Sequence, residues 1–296
     1  MEHHIIAPVC SMNEIEPVLA AGANEVYFGI MTREWVDQYG NGDFVSRRQS
    51  EMAHFSTCDE LSEIAYLANG RHCTATLVLN SRYSRRQLPR IFEILEQWEN
   101  RGGHSVMVSD IEVLLWLNER RSKLKRQLSV MAGTFNSRSA AFFSQFGVSR
   151  IVLPREMSIS EMNRIVVNTG KSMEFEAIVM FQKCQYIDSF CNFYHLCNEK
   201  HGCQMEFSCG ESKITHVDNN DLSTPFCAAC SLGKLSDAGI HHFKIAGRGY
   251  PAGLIINAIR FTRQILVERT KSSACIKKIY KSLFGNNCHP KNCYYQ

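Results

Sequence analysis

Cysteine is the residue type in this chain best suited to chemistry, and it is crowded into one short stretch. Seven of the thirteen cysteines lie between residues 184 and 230: Cys184, Cys191, Cys197, Cys203, Cys209, Cys227 and Cys230. Thiolates bind zinc and iron–sulfur clusters, so several thiols in one loop can supply four ligands to a metal. Buried thiols that pack as small hydrophobic groups are the alternative, and spacing alone does not separate zinc from iron.

Two further features extend this thiol chemistry. Cys227 and Cys230 form a CxxC pair, which suits two metal ligands or a redox couple. Cys288 and Cys293 flank His289 near the end of the chain and suggest a second metal site, against the plain alternative of thiols that bind no metal.

Composition predicts a soluble cytoplasmic protein. Hydrophobic residues make up 45% and charged residues 21% of the chain, which argues against a disordered or fibrous protein. The first residues show no signal-peptide features, and no apolar run approaches the roughly 18 residues of a membrane helix. Because cytoplasmic thiols stay reduced, a cysteine cluster there indicates metal or redox chemistry rather than disulfides.

The charge pattern gives weak support for nucleic acid as a partner and none for a membrane. The net charge of +4 comes from scattered Lys and Arg, with one local basic run over residues 120–126. Such a run is usually a solvated face, whereas nucleic-acid-binding domains are strongly basic. We therefore expect a small-molecule substrate, with nucleic acid left open.

Short β-rich runs alternate with segments of helical periodicity, which is typical of βα units and a parallel sheet. The predicted strands are His4–Val9, Glu25–Ile30, His72–Leu79, Ser105–Ser109, Leu128–Ala132, Arg150–Leu153, Phe175–Met180 and His242–Ala246. This pattern predicts an α/β fold of the (β/α)8 TIM-barrel type, with a doubly wound open sheet as the alternative. We expect one domain over 1–268, a cysteine-rich insertion at about 181–238 between strands seven and eight, and a basic tail over 269–296.

The barrel prediction nominates site residues, because active sites in this architecture lie at the C-terminal ends of the strands. Six polar side chains follow predicted strands: Asn80, Asp110, Asn136, Arg155, Glu156 and Arg248. Arg155 and Glu156 predict a bidentate anion clamp and a proton-handling carboxylate, with a local salt bridge as the alternative. Asp110 is the third catalytic candidate, or else a helix cap.

The other three of these residues are predicted to bind substrate. Arg248 follows strand eight, where barrels often hold phosphate, and so is expected to bind an anion. Asn136 and Asn80 follow strands five and three and can bind polar groups of the same substrate.

Five segments carry a more specific signal: Ala7–Ser11 (APVCS), Ala21–Gly29 (AGANEVYFG), Val108–Asp110 (VSD), Val152–Ser158 (VLPREMS) and Phe243–Arg248 (FKIAGR). In this order they resemble the APxGS, AGADAVYxG, VSD, VLARELS and FKIEGR segments of peptidase family U32, the collagenase-like proteins. The resemblance implies a barrel and a [4Fe-4S] cluster held by four cysteines. It implies Cys184, Cys191, Cys203 and Cys227 as metal ligands, with Cys230 as a substitute for Cys227.

The sequence also departs from the family pattern. Met180 and Phe181 replace its His-Gly, and Ala246 replaces the Glu of its EGR segment. These changes leave the cluster ligands intact but alter the surroundings of the substrate, which indicates a divergent member.

Characterised relatives hydroxylate tRNA uridine, rRNA cytidine or ubiquinone precursors without molecular oxygen, the last as a heterodimer of two related chains. The resemblance therefore implies an iron–sulfur enzyme for a small aromatic or nucleobase-like substrate, and a related partner chain. A collagenase-like peptidase is the second hypothesis, although the sequence contains no HExxH or GxSxG motif. A zinc-stabilised, non-catalytic binding module is the third.

Overall fold

The computed structural model describes most of the chain. The described residues are 2–40, 42–48, 51–170, 172–184, 186–191, 207–210, 212–214, 224–268 and 272–295. The predicted ligand Cys203 lies outside them, as does Cys197.

Parallel strands form a closed barrel. The described strands are β1 His4–Pro8, β2 Glu25–Ile30, β3 His54–Phe55, β4 Thr74–Leu79, β5 Ser105–Val108, β6 Lys125–Leu128, β7 Val148–Val152, β8 Glu174–Met180, β9 Phe207–Cys209, β10 Ser212–Ile214 and β11 His242–Ile245. Eight of them pair in the order β1, β2, β4, β5, β6, β7, β8 and β11, and β11 pairs with β1 to close the ring. The predicted (β/α)8 barrel is therefore confirmed, and the open sheet is excluded.

Helices connect the strands and cover the barrel. The described helices are α1 Met12–Ala20, α2 Arg33–Tyr39, α3 Glu60–Gly70, α4 Leu88–Asn100, α5 Ile111–Glu119, α6 Ser137–Ser144, α7 Ile159–Thr169, α8 Leu232–Asp237, α9 Ala252–Val267 and α10 Ser273–Phe284. Helix α7 begins at a capping box formed by Ser158 and Glu161, which satisfies two backbone N–H groups that the first turn leaves unpaired. No helix among the described residues is long and apolar enough to cross a membrane.

Alternation along the strands separates an apolar layer from a polar barrel interior. In β2, Phe28 packs edge-on against Trp98 of α4 with ring centroids 5.3 Å apart. Its neighbour Tyr27 points the other way, and its hydroxyl donates to the carbonyl of Ile245 across the barrel at 2.9 Å. Successive side chains of a strand face opposite sides, so the interior holds the polar groups that reach the barrel mouth.

One strand lies earlier than the sequence predicts. The prediction for strand five was Leu128–Ala132, whereas β6 spans Lys125–Leu128 and residues Val130–Ala132 form a 3₁₀ turn. The polar residues Arg126 and Gln127 concealed the strand, because polar side chains predict exposure whereas both of these are buried. Arg126 donates to main-chain carbonyls that include Phe146, and Gln127 donates to the buried Glu25.

The predicted basic tail contains a helix and a segment that packs against the barrel. Helix α10 buries Tyr280, whose hydroxyl donates to the carbonyl of Pro225 at 2.7 Å. Beyond the helix, Tyr294 is 1% exposed, and its hydroxyl donates to the carbonyl of Phe181 at 2.9 Å. The end of the chain is therefore docked beside β8, where the cysteine-rich segment begins.

Candidate active site at the barrel mouth

A cleft opens at the C-terminal ends of the strands. One cavity of about 140 Å³ is lined by residues in or directly after seven of the barrel strands, among them Tyr27, Asn80, Lys244 and Arg248. A second cavity of about 320 Å³ adjoins it and shares Asn80 with it. Val78, Met107, Met131, Val152 and Ile178 add apolar surface to the smaller cavity. The cleft thus combines an apolar wall with positively charged groups.

Arg248 is the most unusual group in this cleft. It is 6% exposed, and its Nη2 donates to Ser46 Oγ at 3.0 Å. Its Nη1 is buried and has no hydrogen-bond partner among the described residues, none of which forms a salt bridge with it. Burial lowers the pKa of Arg248 from its ordinary value, yet a guanidinium stays charged in proteins. A buried cation with an unused donor is a candidate binding site for an anion.

Gly29 makes room for this guanidinium. A Cβ at residue 29 would lie 2.3 Å from Arg248 Nη1 and 2.6 Å from His54 Cδ2. The His54 ring is itself fixed on the other side, because its Nε2 lies 2.9 Å from Ser46 Oγ. Gly29, Ser46 and His54 therefore act as positioning residues for Arg248.

A second guanidinium approaches the same place. Arg48 Nε donates to the carbonyl of Arg248 at 3.2 Å, and its Nη1 donates to Gln182 Oε1 at 3.0 Å. Its guanidinium also lies over the ring of Tyr250, 5.5 Å from the centroid. Sequence reasoning missed Arg48, Ser46 and His54, because residues 40–58 show no regular pattern; the paired Arg47 and Arg48 were the available signal.

Buried charges inside the barrel support the floor of the cleft. Lys244 Nζ donates to Glu176 at 3.1 Å and lies 4.1 Å from the centroid of the Tyr27 ring. Arg150 joins Glu176 at 3.5 Å and Glu25 at 2.6 Å. Burial lowers the pKa of Lys244, and the Glu176 carboxylate opposes that shift. These two cations and two anions balance one another, so the uncompensated positive charge lies above them at Arg248. The sequence analysis did not predict this network. The signal for it was the charged residues within the strands, such as Glu25 and Glu176.

Arg155, which was predicted to bind a substrate anion, is paired with a carboxylate of the protein itself. Arg155 Nε donates to Asp188 Oδ2 at 2.9 Å, and Nη2 donates to Oδ1, so the pair is bidentate. Nη1 also donates to the carbonyl of Gln182 and approaches the Tyr294 hydroxyl at 3.4 Å. Burial alone would lower the pKa of Arg155, but Asp188 holds it above its ordinary value. Arg155 thus ties together the 182–188 loop and the tail.

Glu156 is exposed and lies beside the same carboxylate. Partial desolvation and the charge of Asp188 raise the pKa of Glu156 above its ordinary value. One possible ligand atom from each of Glu156, Cys184 and Asp188 lies within 4.8 Å of the others. Burial, followed by Asp188, raises the pKa of Cys184 to about 11. The thiol is therefore protonated at neutral pH unless a metal deprotonates it.

The remaining predicted site residues have local structural roles. Asp110 caps α5 by accepting from Glu112 N–H at 2.9 Å, and it also accepts from Tyr83 N–H at 3.0 Å. Asn136 is exposed and caps α6. Asn80 lines both cavities, accepts from Arg47 N–H at 2.9 Å and donates to Ser129 Oγ at 3.1 Å. Of these three residues, Asn80 is the one placed to contact a ligand.

The predicted cluster ligands fall into separate places. Cys184 and Cys191 share one loop and interact electrostatically, and Cys191 lines the larger cavity. Cys227 is buried and lines a different cavity together with Cys230. No three sulfur atoms of the described predicted ligands lie within 4.8 Å of one another. The thiols of Cys184 and Cys191 fit a cluster chemically, whereas Cys227 belongs to another group of thiols.

Fold and site together define a (β/α)8 barrel protein with a cationic pocket at the mouth and the thiol of Cys191 in the adjoining cavity. The sequence profile of peptidase family U32 matches residues 10–287. The chain belongs to that family.

The chain is similar in sequence to two named proteins. The chain is 26% identical over 126 residues to the tRNA hydroxylation protein P of Escherichia coli, a match that covers 40% of this chain and 28% of that protein. It is 20% identical over 271 residues to a collagenase of Porphyromonas gingivalis, covering 83% of this chain and 61% of that protein. The chain thus spans under two thirds of each relative.

Among solved structures, a dihydrodipicolinate synthase (DHDPS) from Cyanidioschyzon merolae with lysine bound superposes with a TM-score of 0.50 at 7% identity. The match covers 94% of this chain and 79% of that one. At this identity the likeness concerns the barrel fold alone.

Proposed function

We propose that this chain is an iron–sulfur modifying enzyme that hydroxylates an anionic aromatic or nucleobase-like substrate without molecular oxygen. The carrying observation is Arg248, whose buried Nη1 has no partner among the described residues and lines the cavity at the strand ends. The tRNA hydroxylation protein P, a named relative, supports the reaction class.

The cleft suits such a substrate in two ways. Its apolar wall, which includes Met107 and Ile178, can bury the face of an aromatic ring. Arg248 and Arg48 can hold a phosphate or carboxylate on that ring, because guanidinium donors pair with such anions in bidentate geometry. Binding at these two groups orients the ring against the loop that carries Cys184 and Cys191.

In this proposal Glu156 takes up and releases the proton during the reaction. Its raised pKa brings the carboxyl closer to neutrality, which suits a group that both takes up and releases protons. Hydroxylation replaces a ring C–H bond with C–O–H, a two-electron oxidation that reduces an oxygen donor other than O₂. An iron–sulfur cluster on Cys184, Cys191 and Cys203 would supply electron transfer or substrate activation at this edge of the cleft.

Anion binding can be tested directly by calorimetry on anaerobically purified protein. Uridine and cytidine monophosphates are the probes, and the uncharged nucleosides are their controls. Arg248→Gln should weaken monophosphate binding by roughly 10- to 100-fold, because a charge-assisted contact is lost. The matched control Arg138→Gln changes an exposed arginine on α6 and should bind as wild type. Equal affinity of wild type and Arg248→Gln would remove the basis of the proposal.

The reaction is tested in cells that lack the chain and in complemented cells, both grown without oxygen. RNA nucleosides and small-molecule extracts are compared by mass spectrometry for products that gain about 16 Da, the mass of one oxygen atom. Wild type should restore such a product and Arg248→Gln should not. If no such product appears and the purified protein cleaves denatured collagen, the peptidase hypothesis replaces this one.

A further inference from the structure

A cavity under the tail is lined by four cysteines. It has a volume of about 210 Å³, and Cys227, Cys230, Cys288 and Cys293 contribute to its wall. Ile276, Tyr280 and Tyr294 supply apolar and aromatic surface, and Lys277 supplies a cation. None of its described lining residues is a carboxylate or a histidine. The donor groups along this wall are therefore thiols, although no three of their sulfur atoms lie within 4.8 Å of one another.

Backbone pairing brings these thiols together from two distant parts of the chain. Cys227 N–H donates to the carbonyl of Asn292 at 3.0 Å, and Tyr294 N–H donates to the carbonyl of Cys227 at 2.9 Å. The Asn292 side chain adds a bond to the carbonyl of Thr224 at 2.7 Å. Cys293 is thus held beside Cys227 by main-chain geometry rather than by a surface contact.

Packing alone does not account for this group. Free cysteine serves as a small hydrophobic residue when it is buried, but Cys230 is exposed and Cys288 and Cys293 are half-buried. All four belong to the ten cysteines that the structure shows as free thiols. Cys227 and Cys293 are also paired directly by a backbone bridge.

We propose that Cys227, Cys230, Cys288 and Cys293 are the four ligands of a second metal centre, which fastens the tail to the barrel. The ligand chemistry is that of a soft or borderline metal bound by four thiolates, which zinc and an iron–sulfur cluster share. A single zinc ion at about 2.3 Å from each sulfur requires the four thiols to move closer together than they lie here, whereas a cluster bridges ligands that lie further apart. Four thiolates carry more negative charge than the metal neutralises, and Lys277 at the cavity wall offsets part of it.

This centre is separate from the one in the proposed function. It takes Cys227 out of the set that the family resemblance implies, and leaves Cys184, Cys191 and Cys203 as the ligands in the proposed function. The two centres remain connected mechanically, because Tyr294 follows Cys293 and its hydroxyl contacts the carbonyls of Phe181 and Gln182.

Metal analysis of three double variants tests the proposal. Iron, sulfide and zinc are measured per chain after anaerobic purification of Cys288→Ser/Cys293→Ser, Cys184→Ser/Cys191→Ser and the control Cys58→Ser/Cys73→Ser. The first variant should lose one centre that the other two retain; loss of zinc identifies a zinc site, and joint loss of iron and sulfide identifies a cluster. If the first variant keeps the full wild-type metal content, the proposal is wrong. Metal loss confined to Cys184→Ser/Cys191→Ser would overturn it while leaving the proposed function standing.

A second measurement avoids any effect of substitution on folding. Wild-type protein is treated with iodoacetamide before and after a chelator has removed the metal, and alkylation is located by mass spectrometry. Cys230 is exposed, so it should react quickly unless a metal holds its sulfur. The proposal predicts at least a tenfold faster reaction after chelation, and equal rates before and after would contradict it.

Discussion

The barrel mouth and the tail cavity lie on neighbouring surfaces but carry opposite chemistry. At the mouth, a buried guanidinium of Arg248 has a donor with no partner among the described residues. Under the tail, Cys227 and three further thiols line one cavity. In our proposals the first region receives an anion from solution, and the second holds a metal ion or cluster. The proposed roles are therefore substrate binding at the mouth and stabilisation of the fold under the tail.

The two regions also differ in how they are assembled. Arg248 follows a barrel strand and rests on Gly29 of another, so the rigid barrel positions it. At the tail cavity, Cys227 and Cys293 are paired through the main chain, although the two residues lie far apart in sequence. We therefore expect changes at the tail to affect stability first, and changes at the mouth to affect binding first.

Metal removal at the tail should produce the largest effect. A ligand present at about 1,000 times its dissociation constant stabilises a fold by about 4 kcal/mol, which corresponds to roughly 10 °C in the melting temperature of a chain of this size. Chelation should lower the melting temperature of wild type by that amount, as measured by circular dichroism. Cys288→Ser/Cys293→Ser should start near the lower value and respond little to chelator. A full chelator response in that variant would show that the stabilising metal is elsewhere.

Gly29→Ala should weaken anion binding at the barrel mouth and leave metal binding under the tail unchanged. The new Cβ would lie 2.3 Å from Arg248 Nη1, so the guanidinium must move, and overpacking of this kind costs about 1–3 kcal/mol. We expect monophosphate affinity to fall by about tenfold or more, with metal content unchanged, as measured by calorimetry and metal analysis.

The matched control for this change is Gly253→Ala on α9, where an added Cβ meets nothing within 4 Å. It should bind the monophosphate as wild type does. Undiminished binding by Gly29→Ala would mean that Arg248 does not hold the anion.

Glu156→Gln should give the smallest change in stability, and the change should appear in how the melting temperature depends on pH. The folded state raises the pKa of Glu156 through desolvation and Asp188, so the folded state binds this proton more tightly than the unfolded state does. Folding stability from this group is therefore present at low pH and is lost as pH rises from the unfolded pKa of about 4.3 through the folded value. Melting temperatures measured from pH 4 to 8 should show that loss in wild type and less of it in Glu156→Gln. Parallel profiles would place the titration on another group.

Much of the fold could be predicted because periodicity is local. The β-rich run Glu25–Ile30 and the capping box at Ser158 both follow from neighbouring residues, and both appear in the structure. The position of β6 could not be predicted, because Arg126 and Gln127 look exposed in sequence and are buried by partners from other elements.

The candidate site shows the same limit. Arg248 was placed at the mouth from its position after a strand, and it lies there. Arg155 was expected to clamp an anion, but its partner Asp188 is 33 residues away in an irregular loop. The pairing of Cys227 with Cys293 depends on how the tail docks, which no local pattern encodes.

X-ray absorption spectroscopy of metal-loaded Cys184→Ser/Cys191→Ser tests the separation of the two regions most directly. This variant lacks the thiols of the loop beside the cleft and keeps all four under the tail. The account predicts a bound metal surrounded by four sulfur atoms at about 2.3 Å. A variant without metal, or a metal bound mainly by nitrogen or oxygen, would contradict it.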